Sequence, residues 1–207
     1  MPAGLVVNPA SGKDIRRLTG KASVFDNREK LAIVKRALAG AFSGGLSHLY
    51  YMDDAHGIAH TAIAESALPR SIKVERIPTP KTSSALDTLA AAEAFSQTDC
   101  NVVMTLGGDG TNRAFVKGWR DANLIPLSTG TNNVFPVLEE ATIAGMALGL
   151  MSQGKRSMGR FIQRRKVIEL DLGSETDIAL IDAVMTSDQF IGARALLDPS
   201  SLKAALL

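Results

Sequence analysis

The sequence contains a single cysteine, Cys100, so no disulfide can form within the chain. Such sparse cysteine usage suits a reducing compartment. No apolar stretch reaches the roughly 18 residues that a membrane-spanning helix needs. The start of the chain also lacks the apolar core of a signal peptide, because the run at residues 4–7 is short and leads directly into Asn8-Pro9. We therefore expect a cytoplasmic protein without a membrane span.

Neither sign of charge dominates, since 23 Lys and Arg balance 21 Asp and Glu to give a net charge of +2. Aromatic residues are also scarce, at 5% of the chain. A nucleic-acid-binding surface would need basic residues clustered on one face and interleaved with aromatics. The longest basic run, at 160–166, is simplest to interpret as a solvated segment before a strand, with a phosphate-facing role as the alternative. We expect no nucleic-acid partner.

Short apolar runs alternate with helical patterns up to about residue 151. The strand-like runs lie at 5–7, 46–52, 72–77, 101–106 and 124–127, and the helical patterns at 28–42, 55–68, 82–95, 112–121 and 138–151. This alternation predicts an α/β fold with an open, mainly parallel sheet flanked by helices. The run at 101–106 is uninterrupted and bounded by glycine, which indicates a central strand buried on both faces.

The pattern changes after about residue 164. Two runs at 167–172 and 177–186 are joined by a short connection containing Gly173-Ser174, which predicts an antiparallel hairpin. A helical pattern follows at 189–197. We therefore expect an α/β domain over residues 1–160 and the start of a β-rich domain over residues 161–207, which is either very small or truncated.

Three glycine-bearing turns each follow a predicted strand, at 8–13, 107–111 and 128–133. The carboxyl ends of parallel strands share one edge of a sheet, and ligands bind there. In the second turn, glycines permit positive φ and close backbone approach to a ligand. The helix after it would direct its N-terminal amides to the same place, which favours an anion. The sequence therefore predicts a phosphate site.

The second turn differs from the common phosphate-binding patterns. No Gly-Lys-Ser/Thr ends it, as in a Walker P-loop, and its glycine spacing differs from the dinucleotide-binding fingerprint. Phosphate binding would rest on backbone amides and hydroxyls, with Lys13 as an added cation. Asp109 is unexpected in this turn because a carboxylate repels phosphate. It could be a general base for a hydroxyl acceptor, a Mg²⁺ ligand, or a cap on the following helix.

The three turns, in this order, resemble those of the NAD kinase and diacylglycerol kinase superfamily. The resemblance rests on Asn8-Pro9-Ala10-Ser11-Gly12, Gly107-Gly108-Asp109-Gly110-Thr111 and Gly130-Thr131-Asn132-Asn133. Their order and spacing are most similar to the ATP-NAD kinase–AcoX family, a branch that includes the AcoX proteins of acetoin catabolism. The resemblance covers residues 4–151 well and the tail more loosely.

The resemblance implies specific site residues. In the family the glycine-rich turn binds nucleotide phosphates, and its aspartate acts as a base on the acceptor hydroxyl or in metal binding. This implies a catalytic or Mg²⁺-binding role for Asp109. The implied nucleotide-binding residues are Asn8, Ser11, Gly12, Gly107, Gly108, Gly110, Thr111, Thr129, Gly130, Thr131 and Asn132. Relatives carry a β-sandwich after the α/β domain, with the active site in the cleft between the two.

The resulting hypothesis is a kinase that transfers phosphate from ATP, with Mg²⁺, to a small hydroxyl-bearing acceptor, NAD⁺ being the first candidate. The alternative is a non-catalytic nucleotide-binding accessory protein of a catabolic pathway such as acetoin catabolism, because Leu138-Glu139-Glu140 matches the family's acidic NAD-binding pair poorly. A dinucleotide-binding oxidoreductase is disfavoured, since Asn-Pro follows the first strand rather than Gly-x-Gly. A homo-oligomer is compatible with these hypotheses.

Overall fold

The computed structural model describes residues 1–12, 26–129, 133–154 and 156–184. Five parallel strands form its main sheet, in the spatial order β3-β2-β1-β4-β5. In chain order these are β1 (Ala3–Val7), β2 (His48–Met52), β3 (Lys73–Ile77), β4 (Val102–Gly107) and β5 (Leu124–Ser128). The predicted parallel α/β sheet is confirmed. The strand expected at 101–106 is β4, which is buried along its whole length and lies beside the central β1.

Helices cover both faces of this sheet. They are α1 (Asn27–Ser43), α2 (Ile58–Glu65), α3 (Ala85–Ser96), α4 (Asp109–Gly118) and α5 (Ala141–Ser152). Helices α1, α2 and α5 bury their apolar residues against one face, and α3 and α4 bury Phe95 and Phe115 against the other. The result is a three-layer arrangement in which the inner strands β1 and β4 are buried along their whole length, and their residues are mainly apolar instead of alternating.

Two helices on one face approach each other unusually closely. A Cβ added at Gly145 of α5 would lie 1.9 Å from the carbonyl oxygen of Ala37 in α1, and one added at Gly40 would lie 2.0 Å from that of Thr142. Only glycine therefore fits at these two positions of the α1–α5 contact. Glycine lowers the stability of an isolated helix, but the packing of α1 against α5 requires Gly40 and Gly145.

Several helices begin at positions different from those expected. Helix α2 begins at Ile58 and not near residue 55. Its N-cap residue is Gly57, and the Asp54 carboxylate accepts hydrogen bonds from the Ile58 and Ala59 amides at the start of the helix. The neighbouring Asp53 carboxylate lies 2.8 Å from the Lys81 ammonium. Ser84 caps α3, which therefore begins at Ala85 and not at residue 82. The predicted starts of α4 and α5, at 112 and 138, are each three residues from the observed starts.

An antiparallel hairpin follows the α/β layers, formed by β6 (Ile168–Asp171) and β7 (Thr176–Ala179), which confirms the hairpin prediction. It packs on α4, where Arg113 donates hydrogen bonds to Asp177 and to the Ile178 carbonyl oxygen. The helical pattern at 189–197 lies outside the described residues. The division of the chain at residue 160 stays a prediction. Within the described ranges, no helix has both the length and the apolar character to cross a membrane.

Candidate nucleotide site

The order of the strands points to a ligand crevice between β1 and β4. From β1 the chain moves to β2 and β3 on one side, and it then returns to place β4 and β5 on the other side. Ligands of open α/β sheets bind outside the carboxyl ends of the strands at such a switch point. Val7 pairs with Leu106, and Gly107 pairs with Ser128. The turns after β1, β4 and β5 therefore leave the sheet at the same level.

The turn after β1 contacts the turn after β4 directly. The Asn8 amide nitrogen Nδ2 donates to the Thr111 hydroxyl at 2.8 Å, and the Asn8 backbone N–H donates to the Leu106 carbonyl oxygen at 3.0 Å. Ser11 folds back on the turn, since its hydroxyl donates to the Asn8 carbonyl oxygen at 2.7 Å. Gly12 follows with φ of 75°, a conformation that favours glycine. Two predicted site segments, about 100 residues apart in the sequence, are thus in contact.

The glycines after β4 serve a purpose different from the expected one. None of Gly107, Gly108 and Gly110 has a positive φ, so the left-handed backbone that glycine permits is not adopted here. Gly107 leaves room for Thr111, because an added Cβ would lie 2.4 Å from the Thr111 hydroxyl oxygen. Gly108 leaves room for Asn133 in the same way, at 2.8 Å. A Cβ added at Gly110 would meet no atom of the described residues within 4 Å.

Asp109 is the first residue of α4 and does not cap that helix with its side chain. The capping position is Gly108, which has no side chain to offer, so the capping interpretation of Asp109 is wrong. The Asp109 carboxylate instead accepts hydrogen bonds from two backbone amides further along the chain. Phe135 N–H donates to Oδ1 at 2.7 Å, and Val134 N–H lies 3.1 Å from each of the two oxygens. Asp109 therefore fastens the segment after β5 to the start of α4.

Two asparagines that sequence reasoning missed complete this arrangement. Asn133 donates from Nδ2 to the Ser128 hydroxyl at 2.8 Å, and its Oδ1 lies 3.4 Å from the Asp109 amide nitrogen. Asn112 is fully buried, where it accepts a hydrogen bond from the Thr105 hydroxyl and donates to the Gly108 carbonyl oxygen. Asn133 lies in the third glycine-bearing turn, so its position in the sequence could have identified it as a site residue. No sequence feature identified Asn112, because an asparagine inside a helix is ordinarily solvated.

The third turn is described only at its ends. Ser128 and Thr129 are buried at the end of β5, and Asn133 begins the next described segment. Four residues named from the sequence, Lys13, Gly130, Thr131 and Asn132, lie outside the described residues. Asn8, Thr111 and Asp109 share one end of the sheet with Ser128, and their roles in binding stay predictions.

The described part of the chain contains no group of three or more His, Cys, Asp or Glu side chains suited to holding a metal ion. Asp109 is the carboxylate that the described turns contribute at this edge of the sheet. The isolated Cys100 is buried, and burial raises the pKa of its thiol to about 12. Since the thiolate is the reactive form, Cys100 has the character of a small apolar core residue and not of a nucleophile.

The sequence matches the family model of the ATP-NAD kinase N-terminal domain over residues 4–155. This range contains every turn of the site described above. The chain belongs to the ATP-NAD kinase family. In this family member, the five-stranded sheet and its switch point fall almost entirely inside the matched range, which begins one residue into β1.

The remainder of this ATP-NAD kinase family chain matches a second model, the acetoin catabolism protein X C-terminal domain, over residues 166–207. A curated relative, acetoin catabolism protein X of Cupriavidus necator, is 35% identical over 214 aligned residues. The alignment covers 97% of this chain and 59% of the relative, so the chain spans about three-fifths of the length of that protein. No solved structure matches the chain.

Proposed function

We propose that this chain binds ATP and transfers its terminal phosphoryl group to a hydroxyl group of a small acceptor, with NAD⁺ as the first candidate. The observation that carries the proposal is the position of Asp109. Its carboxylate stands at the N-terminus of α4, at the switch point of the sheet, and is held by two amides of the segment after β5. Membership in the ATP-NAD kinase family supports the same chemistry.

The phosphates would bind at the start of α4. The N-terminus of a helix favours an anion through its dipole and its first amides. In α4 the Thr111 N–H donates to the Gly108 carbonyl oxygen at 3.1 Å and the Asp109 amide nitrogen lies 3.4 Å from Asn133 Oδ1, so the Gly110 amide is the one we expect to meet a phosphate. The open side of Gly110 lets a phosphate approach these amides without steric obstruction from the described residues. Asn8, Ser11, Gly12, Thr129, Gly130, Thr131 and Asn132 would complete the phosphate and nucleotide contacts from the neighbouring turns.

Asp109 would act as the base. A carboxylate has about four acceptor positions on its two oxygens, and here Oδ1 accepts from both Phe135 and Val134. Oδ2 contacts Val134 N–H at 3.1 Å and keeps capacity for the acceptor hydroxyl. As the acceptor oxygen bonds to the terminal phosphorus, the bond to the ADP oxygen breaks and the hydroxyl proton passes to Asp109. The products are ADP and the phosphorylated acceptor, and catalysis rests mainly on positioning.

The residues at the site fit a Mg²⁺ ion that arrives with the nucleotide. Mg²⁺ in kinases is typically bound through one or two carboxylates, water and the substrate phosphates, and not by a cage of protein ligands. One carboxylate, Asp109, together with nearby hydroxyl oxygens agrees with that donor set. When bound, the ion would neutralise charge on the phosphates. We further propose a nucleotide-binding domain over residues 1–160, the start of a β-rich domain over residues 161–207, a cytoplasmic location and self-association into a homo-oligomer.

A non-catalytic accessory role is the second candidate. Both amide contacts of Asp109 are to backbone groups of the protein, as expected for an aspartate whose only role is to hold two turns together. The name of the relative identifies a pathway and no reaction. On this alternative the chain binds nucleotide through the same turns and transfers no phosphate. The two candidates differ in whether ATP is consumed when an acceptor is supplied.

The deciding experiment is a kinase assay with Mg-ATP and NAD⁺, in which NADP⁺ is detected, on this chain and on a form extended beyond Leu207. We expect Asp109→Asn to lower turnover about 100-fold or more, since general-base catalysis contributes roughly 10²–10⁴-fold. Nucleotide affinity should change little because Asn keeps an oxygen for the Phe135 amide. Asp121→Asn, in the exposed turn after α4, is the matched control.

Each outcome of this assay selects one interpretation. A loss below tenfold in Asp109→Asn would remove the base role. ATP binding by calorimetry without consumption of ATP, whether with NAD⁺ or with other hydroxyl acceptors, would favour the accessory role. Consumption of ATP with a different acceptor would retain the kinase and discard NAD⁺.

A further inference from the structure

Lys30 is a fully buried cation next to the candidate site. It lies early in α1 and has 0% exposed surface. Lysine is almost never completely buried unless its ammonium is paired, because removing the charge from water is costly. The Lys30 Nζ contacts the Pro9 carbonyl oxygen at 2.6 Å and the Asn8 carbonyl oxygen at 3.2 Å. The ammonium therefore lies directly beneath the turn that follows β1.

The Lys30 ammonium supplies hydrogen-bond donors to carbonyl oxygens of the turn after β1. Where the chain leaves the sheet, its carbonyl groups no longer have strand partners, and a buried carbonyl without a donor is unfavourable. The Asn8 carbonyl oxygen also accepts from the Ser11 hydroxyl, whereas the donor that the structure shows for the Pro9 carbonyl oxygen is Lys30 Nζ. Pro9 is buried and has no N–H to take part in a turn of its own. An ammonium has three donors on a flexible stem, so it can reach adjacent carbonyl oxygens that point in different directions.

A short series of contacts connects Lys30 to the turn after β4, at residues 107–111. The ammonium holds the backbone of Asn8, and the Asn8 side chain donates to the Thr111 hydroxyl at 2.8 Å. Thr111 in turn packs against Gly107, where even a Cβ would not fit. A shift of the Asn8 backbone would thus be transmitted through one hydrogen bond to the start of α4. Loss of a preorganised contact of this kind weakens binding because the site must then be ordered by the ligand.

We infer that Lys30 is a positioning residue of the nucleotide site, acting through Asn8 on Thr111 and not by touching the ligand. The inference rests on the proposed function for its consequence in nucleotide binding. Its structural part, the immobilisation of the turn after β1, holds independently of any ligand. Two measurements separate these parts: hydrogen–deuterium exchange without nucleotide, and calorimetric titration with Mg-ATP.

The principal variant is Lys30→Met, which keeps the length of the stem and removes the ammonium. Lys35→Met is the matched control, because Lys35 lies on the same helix, is 39% exposed and pairs with Glu65 away from the site. We expect Lys30→Met to speed exchange in peptides covering residues 5–12 and 105–112, and to weaken Mg-ATP binding about tenfold. Lys30→Arg, which retains a cation and several donors, should restore part of the affinity. Lys35→Met should match the parent protein in both measurements.

A double-mutant cycle tests whether Lys30 acts through Asn8. If it does, Asn8→Ala combined with Lys30→Met should cost no more affinity than Asn8→Ala alone, because coupled residues are not additive. Additive losses would overturn the transmission through Asn8. A purely structural lysine would lower the melting temperature and leave the affinity of the folded protein unchanged, which would overturn the positioning role.

The remaining outcomes also decide the inference. Unchanged exchange in both peptides of folded Lys30→Met would overturn it even if the protein binds no nucleotide. If Lys30→Met does not fold, Lys30→Gln keeps an uncharged donor with shorter reach and should show an intermediate loss of protection. Parent-like exchange in that variant would overturn the inference equally. Absence of ATP binding by the parent protein would refute the proposed function alone.

Discussion

Gly110 offers a way to separate nucleotide binding from folding. Its backbone lies in the first turn of α4 with φ outside the positive range, and no atom of the described residues lies within 4 Å of the position that an alanine methyl group would take. Gly110→Ala should therefore fold normally. A glycine replaced by alanine where the backbone permits it stabilises by about 0.4–1 kcal/mol. We expect a melting temperature equal to that of the parent protein or a few degrees higher, at about 2–4 °C per kcal/mol.

The same methyl group would occupy the space through which a phosphate approaches the amides of α4. A hydrogen bond to a charged group contributes about 1.5–3 kcal/mol, so the loss of one amide–phosphate contact is substantial. Since about 1.4 kcal/mol corresponds to a factor of ten, Kd for Mg-ATP should rise roughly ten- to hundredfold. Calorimetric titration gives the affinity, and thermal unfolding followed by circular dichroism gives the stability.

Gly107→Ala is the contrasting variant in the same turn. Its Cβ would lie 2.4–2.7 Å from three atoms of the Thr111 side chain, so it should lower both the melting temperature and the affinity. Parent-like ATP binding in Gly110→Ala would refute the idea that the ligand approaches this backbone. A large fall in its melting temperature would refute the idea that the methyl group points into open space.

Two further predictions concern stability. Gly145→Ala should be destabilising because its Cβ would lie 1.9 Å from the Ala37 carbonyl oxygen. Overpacking costs about 1–3 kcal/mol, and the better helix propensity of alanine offsets up to about 1 kcal/mol of this. Thermal unfolding should therefore show a melting temperature several degrees lower than that of the parent protein. The pKa of Asp177 is lowered from its ordinary value of 3.8, chiefly by the hydrogen bond from Lys117. Because the pKa of this carboxyl is lower in the folded than in the unfolded protein, its contribution to stability is present above the unfolded-state pKa and is lost as the pH falls through the folded-state pKa. Denaturant unfolding between about pH 5 and about pH 2 should show this loss of stability.

Both predictions have internal controls. Gly159→Ala meets no described atom within 4 Å and should leave the melting temperature within a degree or two of the parent, since about 0.5 kcal/mol is typical of a surface change. An equal effect of both glycine substitutions would contradict the packing argument. Asp177→Asn should remove part of the pH dependence. The effect is modest, because the carboxylate is 33% exposed and screened by water. An unchanged pH profile would contradict the ion-pair argument.

The main architecture could be predicted from the sequence because its signals are local. The run that became β4 is apolar almost throughout and ends in glycine, which few structures other than a buried parallel strand accommodate. The three turns could be placed at one edge of the sheet for the same reason, since parallel strands must end on the same side. Asp109 was conspicuous because a carboxylate between glycines conflicts with the phosphate chemistry that those glycines suggest.

Other features depend on residues that meet only after folding. Lys30 and Pro9 are 21 positions apart, and Asp109 and Phe135 are 26 apart, so no local pattern connects them. An isolated lysine early in a helix predicts a solvated side chain, and only the position of the turn after β1 makes its burial favourable. The packing role of Gly107 and Gly108 could not be predicted for a related reason. Their requirement is for space beside Thr111 and Asn133 and not for left-handed backbone.

The sequence by itself determined which segments are strands, which are helices and which turns can face a ligand, because periodicity, capping residues and turn residues act over a few positions. The tertiary structure alone decided the contacts among those turns. It placed the Asn8 side chain on Thr111 and used Asp109 to fasten the segment after β5. The physical reason is that a buried polar group must find a partner wherever packing places it, and packing brings together residues that the sequence keeps far apart.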